Sequence, residues 1–476
     1  MVFQVNFRQV LLFVSAWAVK TCLATDSYGK QCEGSRYEHK PRVFIATDIS
    51  NEPDDQMSLV RLLTYSNEID IQAIGVITSY WKNSSIDVDT VINVVNGYGN
   101  VTENLNANVP AIAPYPSAED LLAKVKAGHP VYGLEALEYP PSDAALALVA
   151  AADAATLDDP LYTCVWGGAG VVAEALQHVS RTRTPDQVSK FVHKLRVYSI
   201  SDQDDAGAWL RSNYPSLFYV LSLHGFNDYS QASWNGISGE AYRHFDKGGP
   251  DTSLVTNEWL QTHIRLGALG AHYPDFQFIM EGDTPSFLPL LQNGLGNPEH
   301  PEWGSWGGRY MAVDGSGRYP VYSDTSDVAV GVDGDIHVSA FATIWRWRAA
   351  YQYDFAARMQ WTLEADFSKN NHQPVAIVND TCGPQEMTIK YKFGDSIVLD
   401  ATESWDPDND SLKYSWFHYR EVIQRIQEGP IDPVSTDVNI TNLDVSGGLV
   451  RIEPLTNIVR NIPRVQKAID HGILTV

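Results

Sequence analysis

At 476 residues with a formal charge of -24, the chain can bury a large core. It is a poor partner for nucleic acid, because an acidic surface repels phosphate and no basic run offsets it. The same balance suits cations and neutral ligands; the 13 Trp and 23 Tyr offer flat rings for sugars, although aromatics in such number belong mostly to cores.

Residues 1–24 read as a secretory signal: Arg8 lies near the start, an apolar run extends from Val10 to Val19, and Cys22-Leu-Ala24 offers small residues for cleavage. No other segment approaches the ~20 apolar residues of a membrane span. A secreted, extracellular protein with no membrane partner is expected. Sequons at Asn83, Asn100, Asn379, Asn409 and Asn439 suit that route. Cleavage after Ala24 leaves Cys32, Cys164 and Cys382, an odd number. Cys164 lies in an apolar strand-like run and reads as a buried small hydrophobe, which makes Cys32 with Cys382 a candidate bridge.

The apolar strand Val43 to Ala46 runs into the acids Asp48, Glu52, Asp54 and Asp55, and the apolar spacing after them fits a helix with Pro53 in its first turn. A helix dipole favours one or two acids at that position, but a whole group points to a hard divalent cation. Further strand-like runs are Ile71 to Thr78, Tyr162 to Trp166, Leu195 to Ile200, Leu217 to Leu221 and Phe276 to Met280. Helical patterns fall at Val91 to Tyr98, Val171 to Val179, Asp205 to Ser212 and Ser286 to Gln292. This alternation predicts an α/β domain over 40–365, a mostly parallel sheet with flanking helices. Its polar loops follow the strands, at Asp48, Ser79 to Asn83, Gly167-Gly168, Ser201 to Asp205 and Glu281 to Asp283, where open α/β sheets bind ligands. The loop holding Trp303 and Trp306 lacks periodicity and reads either as a lid or as a loop pegged down by its tryptophans.

A closing helix is expected over Ile344 to Trp361, then a polar linker. Beyond it, Asp395 to Asp400 and Leu412 to Trp416 shift towards a period of two, predicting a small Ig-like β-sandwich over 372–460. The acidic Asp406 to Asp410 between them reads as a polar turn, with a calcium-binding turn as the alternative. The strand pattern fades after Gly447, which leaves an irregular tail at 461–476.

With these elements placed, the N-terminal region resembles the nucleoside hydrolases, whose first strand ends in Asp-x-Asp-x-x-x-Asp-Asp around calcium. The whole chain more closely resembles a cellulose-binding family in which a nucleoside hydrolase-like domain precedes an Ig-like one. The matching segments are Asp48-Ile-Ser-Asn-Glu-Pro-Asp-Asp55, Trp166-Gly-Gly-Ala169, Ile200 to Gly207, Trp234-Asn-Gly-Ile-Ser-Gly239, Glu281 to Phe287, Asn293 to Arg309 and Trp345-Arg-Trp-Arg348.

This resemblance implies calcium held by Asp48, Asp55, the backbone at Gly170 and a late carboxylate chosen from Asp324, Asp327 and Asp333, of which Asp324 is taken. Asp48 would also activate water, while Asp54 and Asn83 would bind sugar hydroxyls, a role that conflicts with glycosylation of Asn83 and so implies that its sequon is unused. Asp202, Asp204, Glu281 and Asp283, at later strand ends, are further substrate-binding candidates, with helix capping as the alternative for the first two. Ala46 replaces the first Asp of the nucleoside hydrolase pattern, and its late His-Asp dipeptide is absent. The implied activity is calcium-dependent hydrolysis of an N- or O-glycosidic bond in a carbohydrate or nucleoside-like molecule. The alternative is a non-catalytic protein that binds cellulose or another carbohydrate.

Overall fold

The computed structural model describes residues 2–5, 30–384, 386–392, 394–423, 438–453 and 472–475. Apart from Val2–Val5, the expected signal lies outside these residues. The chain divides into two units, one of residues 39–291 and 296–371, the other of residues 1–38, 292–295 and 372–476.

The larger unit is built on strands β1 (Arg42–Thr47), β2 (Asp70–Val76), β3 (Val125–Ala127), β4 (Leu161–Val165), β5 (Leu195–Ser199), β6 (Phe218–Leu221), β7 (Tyr310–Ala312) and β8 (Val321–Asp324). They form one sheet in the order β3-β2-β1-β4-β5-β6-β8-β7. All neighbouring pairs are parallel except β7 with β8.

Alternating side chains give the sheet two buried faces. From β1, Val43 and Ile45 enter a core with helices α1 (Pro53–Thr64), α2 (Val88–Gly99) and α6 (Arg348–Trp361). Phe44 and Ala46 enter the opposite core with α3 (Asp143–Ala154), α4 (Gly170–Thr182) and α5 (Ala206–Asn213). Among the described residues no helix is long and apolar enough to cross a membrane.

Three expected elements differ. Phe276 to Met280 is not a strand, because side chains satisfy its backbone: Asn257 pairs with Phe276 and Ser238 with Met280. The sheet is extended instead by β8 and β7. Ser286 to Gln292 forms no α-helix but lies across two short turns, Thr284–Ser286 and Leu288–Leu290, with Pro285 and Pro289 unable to donate helical hydrogen bonds. The closing helix is split into Ala342–Trp345 and α6.

In the smaller unit, strand Ile397–Asp400 pairs with Leu449–Glu453, which pairs with Asn439–Asn442, all antiparallel. Ile397, Leu399, Val450 and Ile452 fill its core. Leu449–Glu453 and Gly472–Thr475 are strands that the sequence reading does not anticipate, whereas Leu412 to Trp416 contains none. The Asp406 turn is a polar one: the Asp406 carboxylate accepts from the amides of Asp408 and Asp410, and Asp408 holds His372. Cys32 and Cys382 form a disulfide with Cα atoms 5.4 Å apart, and Cys164 is free and buried.

Candidate functional site

The polar strand ends meet on one side of the larger unit. β1 stops at Thr47, and Asp48 to Glu52 turn the chain into α1, whose N-cap Glu52 makes no side-chain capping bond. Pro53 opens the helix and places Asp54 and Asp55 in its first turn. Ser50 in this turn has φ 73°, a left-handed backbone that a non-glycine residue rarely adopts.

Asp48, Asp54, Asp55 and Asp283 are all at least nine-tenths buried. Oxygens of Asp54, Asp55 and Asp283 lie within 4.8 Å of one another. Asp48 hydrogen-bonds the side chains of Ser79, at the end of β2, and Asp55, which also accepts from the Thr47 hydroxyl. Gly167, after β4, packs directly on Asp48: a Cβ there would lie 2.6 Å from Asp48 Oδ1. Lys82 draws close enough to favour the Asp48 charge, and Arg243 does the same for Glu52, which is half-buried beside the group.

Burial raises the pKa of every one of these carboxyls, because a low-dielectric site disfavours charge. Asp54 is pushed up to about 8 by burial and then by the charges of Glu52 and Asp48. Asp55 rises well above the carboxylate range through burial, Asp48 and Asp54. Asp283 does so through burial, Asp55 and Asp54.

The segment carrying Asp283 is positioned by Glu281, which has φ 57° and is fully buried. Its carboxylate pairs with Arg61 of α1 and accepts from Tyr273 (2.6 Å) and Thr284 (2.8 Å). The ion pair therefore ties the helix bearing Asp54 and Asp55 to the turn bearing Asp283.

The structure gives the other expected site residues these partners. Glu281 spends its oxygens on the buried network with Arg61, Tyr273 and Thr284. Asp202 pairs with Arg211 at 2.7 Å, and Asp204 accepts the amides of Gly170 and Ala206, both at 2.9 Å. Burial pushes the Asp204 carboxyl up to about 6. Gly170 is the first residue of α4 and contributes its amide to Asp204, while its carbonyl lies at the start of the helical ladder. Asp324 accepts from the Ser222 hydroxyl and from the amide and hydroxyl of Ser233, outside the three-carboxylate group. Asp327 pairs with Arg309 and Arg346, and Asp333 with His337. Among the late acids, Asp283 is the one whose oxygens lie within 4.8 Å of those of Asp54 and Asp55. Asn83 is exposed on the loop after β2.

Sequence reasoning missed the roles of Ser79, Gly167, Lys82, Tyr229 and Trp234. Gly167 lay within a recognised motif, but only the sheet order sets it against Asp48. Tyr229 is half-buried, and the charges of Asp48 and Asp283 help raise its pKa well above the phenol range after burial. Trp234 reaches the group across Gly282, where a Cβ would lie 2.6 Å from Asp54 Oδ2 and 3.0 Å from Trp234 Cζ3.

The nucleoside hydrolase-like domain model of the cellulose-binding Sde182 family matches residues 42–310. The C-terminal domain model of cellulose-binding protein Sde0182 matches residues 396–474. The chain belongs to this family.

A solved relative is a nucleoside hydrolase-related protein of Saccharophagus degradans associated with carbohydrate metabolism. It is 31% identical over 88% of this chain and 92% of its own, with a TM-score of 0.68. The effector protein XOO4466 is 11% identical over 69% of this chain and 95% of its own, with a TM-score of 0.32. The type III effector XopQ, solved with adenosine diphosphate ribose, is 13% identical over 68% and 96%, with a TM-score of 0.31. No curated protein matches significantly. The Sde182-family domain thus carries its acids at the carboxyl ends of a nucleoside hydrolase-like sheet.

Proposed function

We propose that this family member is a secreted, cation-dependent hydrolase of a glycosidic bond in a neutral carbohydrate, with Asp54, Asp55 and Asp283 as the cation ligands. The observation that carries the reading is Asp283: it is 1% exposed, and its Oδ2 has no hydrogen-bond partner among the described residues. A buried carboxylate oxygen without a partner, beside two more carboxylates, calls for a positive charge. The donors are all carboxylate oxygens, which suits calcium better than a softer metal.

Such an ion supplies compensating charge and lowers the pKa of water at the site. The chain itself supplies the base. Asp48, held by the Ser79 hydroxyl and raised in pKa by burial, accepts the proton of a water attacking the anomeric carbon. The new C–O bond forms as the glycosidic bond breaks, and the leaving group takes its proton from solvent, the proton of the attacking water staying on Asp48.

Asp48→Asn tests this assignment: turnover of oligosaccharides or glycosylamines should vanish while the calcium-dependent rise in melting temperature persists. Turnover that survives both the substitution and chelation refutes it. A second reading, carbohydrate binding without turnover, is favoured by the cellulose-binding description of the family. It predicts retention on cellulose with no product from any substrate.

A further inference from the structure

Two loops at the strand ends place large aromatic side chains on the surface. Tyr80 and Trp81 follow β2 and Phe226 follows β6, and they are 48%, 46% and 48% exposed. Side chains of this kind are normally buried, so three together at one site form a patch that calls for an occupant. Trp81 and Phe226 stack 23° apart with centroids at 6.0 Å, and Tyr80 stands edge-on to both, 5.0 Å from Trp81 and 4.7 Å from Phe226, so the three rings brace one another.

The loops are anchored rather than draped. The Tyr80 amide donates to the Gln203 carbonyl, and the Ser79 hydroxyl accepts from the amides of Trp81 and Lys82. Ser79 is also the residue that hydrogen-bonds Asp48. The patch continues inward: Tyr229 touches Trp81 (5.9 Å) and Phe226 (6.1 Å), and Trp234 follows at 5.6 Å from Tyr229. Trp234 and Asp54 both border the space that a side chain at Gly282 would fill.

We infer that the exposed cluster of Tyr80, Trp81 and Phe226 presents ring faces that stack on the pyranose rings of a neutral, β-linked glucan chain, leading it towards the acidic centre. The inference rests on the carbohydrate reading proposed above and names the ligand class and the residues that bind it. Three features favour this occupant. The chain's charge of -24 and the neighbouring acids disfavour phosphorylated or anionic ligands. An open face on two loops suits the flat faces of an extended chain, whereas a single base is gripped in a slot. Exposed Asn227 and Asp228 follow Phe226 in sequence, and exposed Asn83 lies two residues after Trp81, which adds polar groups for hydroxyls to the same two loops.

The test is calorimetric titration of the full-length protein with cellohexaose, maltohexaose and adenosine, with insoluble cellulose pull-down alongside, each in calcium and in chelator. The proteins are wild type, W81A/F226A, W81F and D283N, all compared by melting temperature. The expected result is a loss of at least about tenfold in cellohexaose affinity for W81A/F226A, with most affinity kept by W81F. Binding of soluble and insoluble glucan should fall together. D283N should keep cellohexaose affinity in chelator, so a D283N protein with unchanged calcium response would sink the cation site while leaving the platform intact. The inference is overturned if wild type does not bind cellohexaose, if maltohexaose or adenosine binds as well and is lost equally, or if W81A/F226A binds like wild type.

Discussion

Replacing Asp283 by Asn should have opposite effects with and without cation. Oxygens of Asp54, Asp55 and Asp283 lie within 4.8 Å of one another. At an effective dielectric of about 20, a pair of unit charges at such a distance repels by roughly 3.5 kcal/mol. The acids take up protons rather than bear the full repulsion, so removing one should stabilise the cation-free protein by about 2–4 kcal/mol at alkaline pH. The sign follows from Asp54, whose pKa is about 8 when folded against an ordinary 3.8. Between those values the folded state holds more protons, so the stability due to this group is complete below pH 3.8 and is lost as pH rises through about 8. In chelator at pH 8.5, D283N should therefore melt about 4–8 °C above wild type. With calcium at about 100 times its Kd, wild type should gain roughly 2.7 kcal/mol and D283N almost none. The wild-type gain should grow from pH 6 to pH 8.5, because ligation requires deprotonated carboxylates. Scanning calorimetry in chelator and calcium at the two pH values decides the matter. A D283N protein that is less stable in chelator, or that responds to calcium like wild type, refutes the reasoning.

Glu281→Ala leaves the Arg61 charge buried without its partner, so denaturant unfolding should show a loss of about 3–5 kcal/mol, with the calcium response lost as the Asp283 turn drifts. Asp202→Asn, which affects only the partly exposed pair with Arg211, should leave the calcium response unchanged and shift stability by less than about 1 kcal/mol. Gly167→Ala drives a methyl group into Asp48 and should depress turnover far more than melting temperature, as measured on one preparation by initial rates and calorimetry. Replacing Cys32 and Cys382 by Ser should cost about 2–4 kcal/mol in the smaller unit, read from its unfolding transition.

Much of the β1-to-α1 region was legible because its signals are local. The continuous apolar run Val43 to Ala46, Pro53 at a helix start and the apolar spacing of Met57 to Leu63 each concern neighbours in sequence. The same holds for α2, α4 and α5, whose periodicity marked them. Phe276 to Met280 misled for a physical reason: an apolar run reports burial, while strand pairing depends on whether a neighbour or a side chain takes the backbone hydrogen bonds. Short β3, β7 and β8 were invisible because three or four residues carry too little pattern.

At the candidate site, the sequence by itself determined that a group of acids follows the first strand and that other acids follow later strands, because both facts depend on local order. Only the tertiary structure decided which of them meet. The sheet order brings Gly167 against Asp48, and the buried Arg61–Glu281 pair swings Asp283 to Asp54 and Asp55. The same packing turns Asp324 to serines, Asp202 to an arginine and Asp204 to the amides at a helix start. Every carboxylate carries the same charge in sequence, and its role depends on the partner that folding places beside it.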